Sequence, residues 1–144
     1  MRNQFTLLIA DRNRHVRDFL RREFMAEGYA VALARDEMEL LTSIQGDEPP
    51  DLIIADLEMP CSDGPEAIEK LLARNPLVPV VIHTFLTEEA AREVCGRAAA
   101  FLEKRGNNID HLKETVLTVL RKSYPHRFPP VTDEERPPLT GGVS

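Results

Sequence analysis

The stretch LIIADLEMPCSDG, residues 52–64, decides the fold of this chain. Its first four residues are apolar and predict a buried strand, and the Pro, Asp and Gly after residue 58 predict a turn. Asp56 therefore stands where a buried strand ends and a loop begins. In α/β proteins this edge of the sheet is where ligands bind and reactions occur. The stretch predicts an α/β protein with a functional carboxylate at Asp56.

On both sides of this stretch, short apolar runs alternate with amphipathic segments. Predicted strands cover residues 5–10, 29–34, 52–55, 78–82 and 99–102. Four predicted helices carry apolar side chains at helical spacing, namely Val16, Phe19, Leu20 and Phe24; Met38, Leu41 and Ile44; Ile68, Leu71 and Leu72; and Ile109, Leu112, Val116, Val119 and Leu120. Thr87 caps a further short helix. Strict alternation of this kind predicts a parallel sheet with helices on both faces.

Four polar side chains follow strands of this predicted sheet. Asp11 follows the first strand, Asp56 the third, Thr84 the fourth and Lys104 the fifth. Because the carboxyl ends of parallel strands lie at one edge of a sheet, we expect these side chains to converge. Alone, each residue is more simply a turn or surface residue, so the prediction depends on their occurring together.

Composition limits the class of protein. The 144 residues are 42% hydrophobic, which is enough for one core, and the net charge of -6 argues against a nucleic-acid surface. The two cysteines have no metal-ligand or disulfide-framework spacing. The N-terminus has no hydrophobic signal region, and no apolar run reaches the length of a membrane span. We therefore expect a cytoplasmic globular domain.

The chain resembles the receiver domains of bacterial two-component response regulators over residues 5–122. The family pattern is a strand-end acid, a phosphoacceptor Asp followed by Met-Pro-x-x-Asp-Gly, a Ser or Thr, and a Lys. Asp11, Asp56 with residues 59–64, Thr84 and Lys104 match it in order. The resemblance implies a flavodoxin-like (βα)5 fold, a signalling domain rather than an enzyme, and phosphorylation by a histidine kinase or a histidine phosphotransfer protein.

The chemistry of these residues agrees with that role. Asp56 is the expected nucleophile toward phosphorus, and Lys104 supplies a positive charge to the phosphoryl group. The Thr84 hydroxyl can donate to a phosphoryl oxygen. The resemblance implies Mg2+ bound by Asp11, Asp56 and the main-chain carbonyl of Glu58, all oxygen ligands.

The resemblance also implies a route for the signal to a downstream effector protein. Phe101 occupies the place of the family's switch aromatic residue, three positions before Lys104. Its ring is expected to turn inward when Thr84 moves toward the phosphoryl group. This movement alters the surface formed by the fourth helix, the fifth strand and the fifth helix. Because Phe has no hydroxyl, the signal passed to a partner is expected to be steric.

Arg12 departs from the family pattern. Receivers usually carry two adjacent acids after the first strand, and the second binds Mg2+ directly, whereas this chain has Asp11 followed by Arg12. A register shifted by one residue would pair Ala10 with Asp11, but the helical spacing of Val16 and Phe19 favours the unshifted register. A guanidinium beside Asp56 could pair with it bidentately and replace part of the charge of the metal. We therefore expect weakened Mg2+ binding.

Two other functions are compatible with parts of the sequence. A haloacid-dehalogenase-type phosphatase also uses a strand-end Asp and Mg2+, but its motif requires a second Asp where Glu58 stands and normally follows the first strand. The stronger alternative is a pseudo-receiver, in which Arg12 holds Asp56 in one state and the fold acts as an interaction module without phosphorylation. Phosphorylation that depends on a metal ion distinguishes this alternative from the receiver.

The C-terminal residues differ in composition from the rest. Residues 123–144 contain five prolines and few large apolar side chains, which predicts a disordered tail or a linker after a receiver domain of residues 1–122. The segment is too short to form an output domain with its own core. We therefore expect the signal to pass to another protein.

Overall fold

A computed structural model describes residues 4–58, 73, 77–105 and 108–128 of the chain. Strands and helices alternate in the order β1 (Thr6–Ala10), α1 (Arg14–Ala26), β2 (Ala30–Ala34), α2 (Glu37–Gln45), β3 (Leu52–Ala55), β4 (Val80–Thr84), α3 (Glu88–Val94), β5 (Ala100–Glu103) and α4 (Ile109–Ser123), followed by a 3-10 turn (Pro125–Arg127). Helices α3 and α4 correspond to the predicted fourth and fifth helices. The turn predicted at residues 59–64 and the helix predicted from residue 65, apart from residue 73, lie outside the described residues.

The five strands form one parallel sheet with the order β2-β1-β3-β4-β5. This order is that of the flavodoxin-like fold, so the predicted fold class is confirmed. The order changes direction between β1 and β3, and ligands bind at such points in open α/β sheets. Ala10 pairs with both Ala34 and Ala55, which aligns the ends of three strands at one edge.

Apolar side chains fill both faces of the sheet. One cluster packs β1, β3 and β4 against α2 and α3, and the other packs the opposite face against α1 and α4. All four residues of β3 are buried, as expected for a central parallel strand covered on both sides. The continuous apolar run of residues 52–55 therefore forms a buried strand, as predicted from the sequence.

Each described helix of seven or more residues begins at a side-chain cap. Asn13, Asp36, Thr87 and Asn108 each accept a hydrogen bond from a backbone N–H three residues later. These bonds satisfy donors that have no partner within the helix. Gly28 has a φ of 97° just after α1, a conformation that favours glycine, and ends the helix as predicted.

Several predicted boundaries and faces differ from the structure. Strand β4 begins two residues later than predicted and includes Thr84 as its last residue. Met38, predicted on the apolar face of α2, is 73% exposed, because Leu40 and Ile44 provide the buried face instead. Helix α4 extends to Ser123, one residue beyond the predicted domain boundary at residue 122.

The segment after α4 packs against the end of the sheet opposite to Asp56. Tyr124 and Phe128 contact the ring of Phe5 at centroid distances of 5.8 and 5.5 Å. Arg127 Nη1 donates to Asp51 Oδ1 at 2.6 Å, and its guanidinium carbon lies 4.0 Å from the Phe5 ring centroid. Residues 124–128 therefore belong to the folded unit, whereas residues 129–144 lie outside the description.

In the described residues, none of the helices has the length and apolar character needed to cross a membrane.

Asp51 links this segment to β1, and its removal is expected to destabilise the domain. Its Oδ2 accepts from the Thr6 N–H at 2.7 Å, and its Oδ1 accepts from Arg127. Asp51→Ala leaves these partly buried donors without an acceptor, so the free energy of unfolding should fall by about 1–3 kcal/mol. Urea denaturation measures this change. Asp47→Ala, at an exposed loop position, is the matched control. An equal decrease in the free energy of unfolding in both variants would contradict the stabilising role of Asp51.

Candidate functional site

The site lies at the carboxyl ends of four strands and centres on Lys104. Lys104 Nζ lies 2.7 Å from Asp11 Oδ2 and 3.1 Å from Asp56 Oδ2. Asp11 and Asp56 are 2% and 1% exposed, and the Lys104 side chain is 6% exposed. The structure therefore brings together two acids and one lysine that the sequence separates by up to 93 positions.

Backbone hydrogen bonds fix these residues just beyond the strands. The Asp56 N–H donates to the Ala10 carbonyl at 2.8 Å, and the Lys104 N–H donates to the Thr84 carbonyl at 2.6 Å. Both bonds continue the parallel ladder by one step past its last paired residues. The strand register thus places the main chain of Asp56 beside β1 and that of Lys104 beside β4.

Asp11 is held by further contacts from the start of α1. Its Oδ1 accepts from the Asn13 N–H at 2.8 Å, and its carbonyl accepts from Arg17 Nη1 at 2.7 Å. Burial raises the pKa of Asp11 above its ordinary value, although the hydrogen bond from Lys104 and the N–H of Asn13 act in the opposite direction. Lys104 is therefore the principal charge that favours an ionised Asp11.

Both carboxylate oxygens of Asp56 have donors. Oδ2 contacts Lys104, and Oδ1 accepts from the Glu58 N–H at 3.0 Å. The second bond closes a local turn between residues 56 and 58, which fixes the direction of the carboxylate. The Lys104 ammonium group and the Glu58 N–H therefore stabilise negative charge on the Asp56 carboxylate at a defined position.

Thr84 is buried at 1% exposure as the last residue of β4. Its Oγ1 accepts from the Leu86 N–H at 3.3 Å, a bond within the loop that leads to α3. A hydroxyl can donate its proton while it accepts, so Thr84 is able to donate to a new acceptor at the sheet edge. Its link to Leu86 connects the strand end to the start of α3.

Arg12 contacts Glu58 rather than Asp56. Its Nη2 lies 3.4 Å from Glu58 Oε2, and the side chains are 49% and 31% exposed. The expected bidentate pair between Arg12 and Asp56 is therefore absent from the structure, because Lys104 and the Glu58 N–H already engage that carboxylate. An exposed ion pair of this kind contributes only about 0–1 kcal/mol, so Arg12 is free to change partners.

The residues at this edge supply oxygen atoms of the kind that Mg2+ prefers. Over the described ranges, no three His, Cys, Asp or Glu side chains are close enough together to hold a metal ion. However, Mg2+ commonly uses one or two carboxylates and completes its shell with water and phosphate oxygens. Asp11, Asp56 and the Glu58 carbonyl can supply these oxygens. Glu58 Oε1 is also buried without a hydrogen-bond partner among the described residues, so it is a further acceptor.

Phe85 is a site residue that the sequence interpretation missed. Its ring is 49% exposed, with its centroid 5.2 Å from Lys104 Nζ and 5.9 Å from the Arg105 guanidinium carbon. An aromatic face near a cation attracts it electrostatically. The position directly after Thr84, at the predicted sheet edge, was the available signal. Phe85 thus forms part of the outer wall beside Lys104.

His83 lies behind this wall, at a cavity of about 240 Å3 that Phe19, Phe85 and Lys104 also line. Its Nδ1 is buried and has no hydrogen-bond partner within the described part of the chain. Burial and the nearby Lys104 charge lower the pKa of His83 to about 4. His83 is therefore neutral at pH 7. The other histidine considered from the sequence, His15, is exposed on α1.

The low pKa of His83 predicts a specific acid sensitivity. Between pH 6.5 and about 4 the unfolded chain binds a proton at this residue and the folded chain does not. Stability should therefore fall as the pH is lowered through this window. Urea denaturation across it should show a smaller decrease for His83→Gln than for the wild type, with His15→Gln as control. Equal pH dependence of His83→Gln and the wild type would contradict the burial of a neutral imidazole.

Comparison with known proteins supports one family. The family model for the response regulator receiver domain matches residues 7–117. The curated response regulator MprA of Mycobacterium tuberculosis strain H37Rv is 37% identical over 78 residues. That match covers 54% of this chain and 34% of MprA, so the chain matches about one third of the length of this curated relative.

Solved structures share the fold. A CheY-like receiver domain from Methanospirillum hungatei has a TM-score of 0.74 at 23% identity, over 86% of this chain and 99% of that one. The receiver domain of a Francisella response regulator has a TM-score of 0.73 at 26% identity, over 83% and 99%. TrrA from Thermotoga maritima, in complex with Mg2+ and BeF, has a TM-score of 0.70 at 22% identity, over 81% of this chain and 99% of that one.

The parallel sheet, the convergence of Asp11, Asp56, Thr84 and Lys104 at one edge, and the family match over residues 7–117 agree. This chain belongs to the response regulator receiver domain family of two-component signalling systems.

Proposed function

We propose that the domain accepts a phosphoryl group on Asp56 from a histidine kinase or a histidine phosphotransfer protein. The observation that carries this proposal is the contact of Lys104 Nζ with both Asp11 and Asp56 at the buried edge of the sheet. It combines a nucleophilic carboxylate with a positive charge next to the reacting atom. The domain thus receives a phosphoryl group as a signal, rather than turning over a substrate.

The chemistry follows from the arrangement of these residues. A carboxylate oxygen of Asp56 attacks the phosphorus of a phosphohistidine, a P–O bond forms, and the P–N bond to the imidazole breaks. Negative charge on the transferred group increases the demand for cations and donors at the sheet edge. Lys104 remains paired with Asp11 and can contact a phosphoryl oxygen, and Thr84 can donate to another. Bound Mg2+ would neutralise further charge on the group.

The signal passes from Thr84 to the surface formed by α3, β5 and α4. When Thr84 moves toward the phosphoryl group to donate to it, the distance from its Oγ1 to the Leu86 N–H changes, and the start of α3 is affected. Phe101, on β5, packs partly buried against the core cluster that includes α3. A changed position of its ring alters this surface, and a downstream effector protein reads the change.

Charge counting supports weak Mg2+ binding. Asp11, Asp56 and Glu58 contribute three negative charges, and Lys104 and Arg12 two positive charges, which leaves one net negative charge. In a receiver with an acid in place of Arg12, the net charge of this group of side chains is more negative by two. Such a site attracts a divalent cation more strongly.

The same charges support a second candidate function, the pseudo-receiver. Lys104 pairs with Asp11 and Asp56, and Arg12 pairs with Glu58. In this alternative Lys104 and Arg12 hold the acids at the carboxyl edge of the sheet in a single conformation. The domain then binds its partner independently of phosphorylation.

Incubation with acetyl phosphate, with and without Mg2+, distinguishes the two functions. A receiver should gain the mass of one phosphoryl group in intact-mass spectrometry, and the gain should require Mg2+ because the added charge must be neutralised. Asp56→Asn should show no gain. A wild-type protein that stays unmodified under both conditions would contradict the phosphoacceptor and favour the pseudo-receiver. Modification of Asp56→Asn would place the reaction at another residue.

Arg12→Asp should tighten Mg2+ binding. The change removes one positive charge and adds one negative charge near Asp11 and Asp56, and a difference of about 1.4 kcal/mol in interaction energy is already a tenfold change in affinity. Titration calorimetry should therefore give at least about a tenfold lower Kd. Arg14→Asp is the control, because it makes the same charge change at an exposed position of α1. The Arg14 side chain is 82% exposed and pairs with Asp18. Equal affinities in the two variants would show that Arg12 does not affect the metal site.

A further inference from the structure

Arg92 covers the ring of Phe101. Its guanidinium carbon lies 4.5 Å from the ring centroid, within the range of a cation–π contact. The ring also packs against the core cluster that contains Ile82, Ala91 and Cys95. Phe101 therefore lies between an apolar interior and an exposed cation on α3.

Glu88 forms an ion pair with this guanidinium, and the two side chains are 53% and 57% exposed. Arg92 Nε donates to Glu88 Oε2 at 3.0 Å, and Arg92 Nη2 lies 2.9 Å from the same oxygen, one helical turn away on α3. Two nitrogens of the planar guanidinium thus face this carboxylate oxygen, an orientation that is compatible with stacking of the guanidinium on an aromatic ring. The ion pair between Glu88 and Arg92 and the stack of Arg92 on Phe101 thus connect these three side chains.

This group of three side chains begins close to the site. Glu88 is the first residue of α3 and directly follows the cap Thr87, whose Oγ1 accepts from the Ala90 N–H at 3.2 Å. Leu86, one position before the cap, donates its N–H to Thr84 Oγ1 at 3.3 Å. A change of partner at Thr84 therefore acts on the loop that sets the position of Glu88.

We infer that Arg92 is a positioning residue that holds the Phe101 ring in its resting position, and that Glu88 transmits movement at the start of α3 to this ring. The inference rests on the proposed roles of Thr84 and Phe101 in signalling. A phenylalanine ring has no hydroxyl with which to fix its position. The Arg92 stack supplies a directional contact in its place, and it opposes rotation of the ring until α3 moves.

NMR of the full chain, with labelled phenylalanine rings and arginine side chains, tests the resting contact. The wild type should show nuclear Overhauser effects between Arg92 and the Phe101 ring. Arg92→Met keeps much of the stem and removes the charge, so the resting ring position should lose population roughly two- to fivefold relative to its alternative, as expected for an exposed cation–π contact. Arg92→Lys keeps the charge and should restore part of the wild-type signal.

The matched control is Arg14→Met, which removes an arginine from an exposed (i, i+4) ion pair on α1, packed on the other face of the sheet. It should leave the Phe101 signals unchanged. Signals of Arg92→Met identical to those of the wild type would overturn the positioning role, whatever the outcome of phosphorylation.

Addition of Mg2+ and beryllofluoride, a phosphoryl mimic, tests the transmission. The wild type should lose the Arg92–Phe101 contact, and Glu88→Gln should lose it in part before any addition. If mass spectrometry shows an adduct that Asp56→Asn lacks and the contact persists, the transmission is wrong while the phosphoacceptor stands. If no adduct forms, the phosphoacceptor is contradicted, and the comparison of resting variants still decides the role of Arg92.

Discussion

The buried contacts of Lys104 with Asp11 and Asp56 are the constraint on which the site depends. Charges removed from water are costly unless they are paired, and two nearby carboxylates would otherwise repel each other. One ammonium group satisfies both acids, so the edge of the sheet can hold two nearly unexposed carboxylates. The same group can then respond when a phosphoryl group changes the charge of Asp56.

This arrangement requires the observed strand order. Asp11 and Asp56 follow the adjacent strands β1 and β3, whereas Lys104 follows β5, which is separated from β3 by β4. A register shift of one residue turns every side chain of a strand to the opposite face. The apolar clusters on the two faces oppose such a shift, because it would remove core residues of β5 such as Leu102 from the cluster in which they pack. Core packing therefore positions the site.

The sequence predicted the fold class and the convergence of the polar residues because both follow from simple regularities. Apolar runs gave the strands, and parallel strands place their carboxyl ends at one edge. The predictions from the sequence were wrong where the geometry of side chains decides which residues make contact. Met38 has the spacing of an apolar face, yet in a nine-residue helix Leu40 and Ile44 satisfy the core. The partner of Arg12 depends on which groups already engage Asp56, and no spacing rule contains that information.

Long-range packing likewise lay beyond the sequence patterns. The contacts of Arg127 with Asp51 and Phe5 join segments more than 70 residues apart, so composition indicated only a proline-rich tail. The stack of Arg92 on Phe101 joins a helix to a strand through side-chain conformations alone. Both features depend on which side chains meet in the folded chain, and spacing and composition do not specify this.

The most direct test of the account is to identify the residue that receives the phosphoryl group. The chain is mixed with a phosphorylated histidine phosphotransfer protein and treated with sodium borohydride, which reduces an aspartyl phosphate to homoserine. Peptide mass spectrometry then locates the converted residue. Conversion at Asp56 alone is the expected result. Phosphoryl transfer that leaves Asp56 unconverted, or converts Asp11 instead, would contradict it.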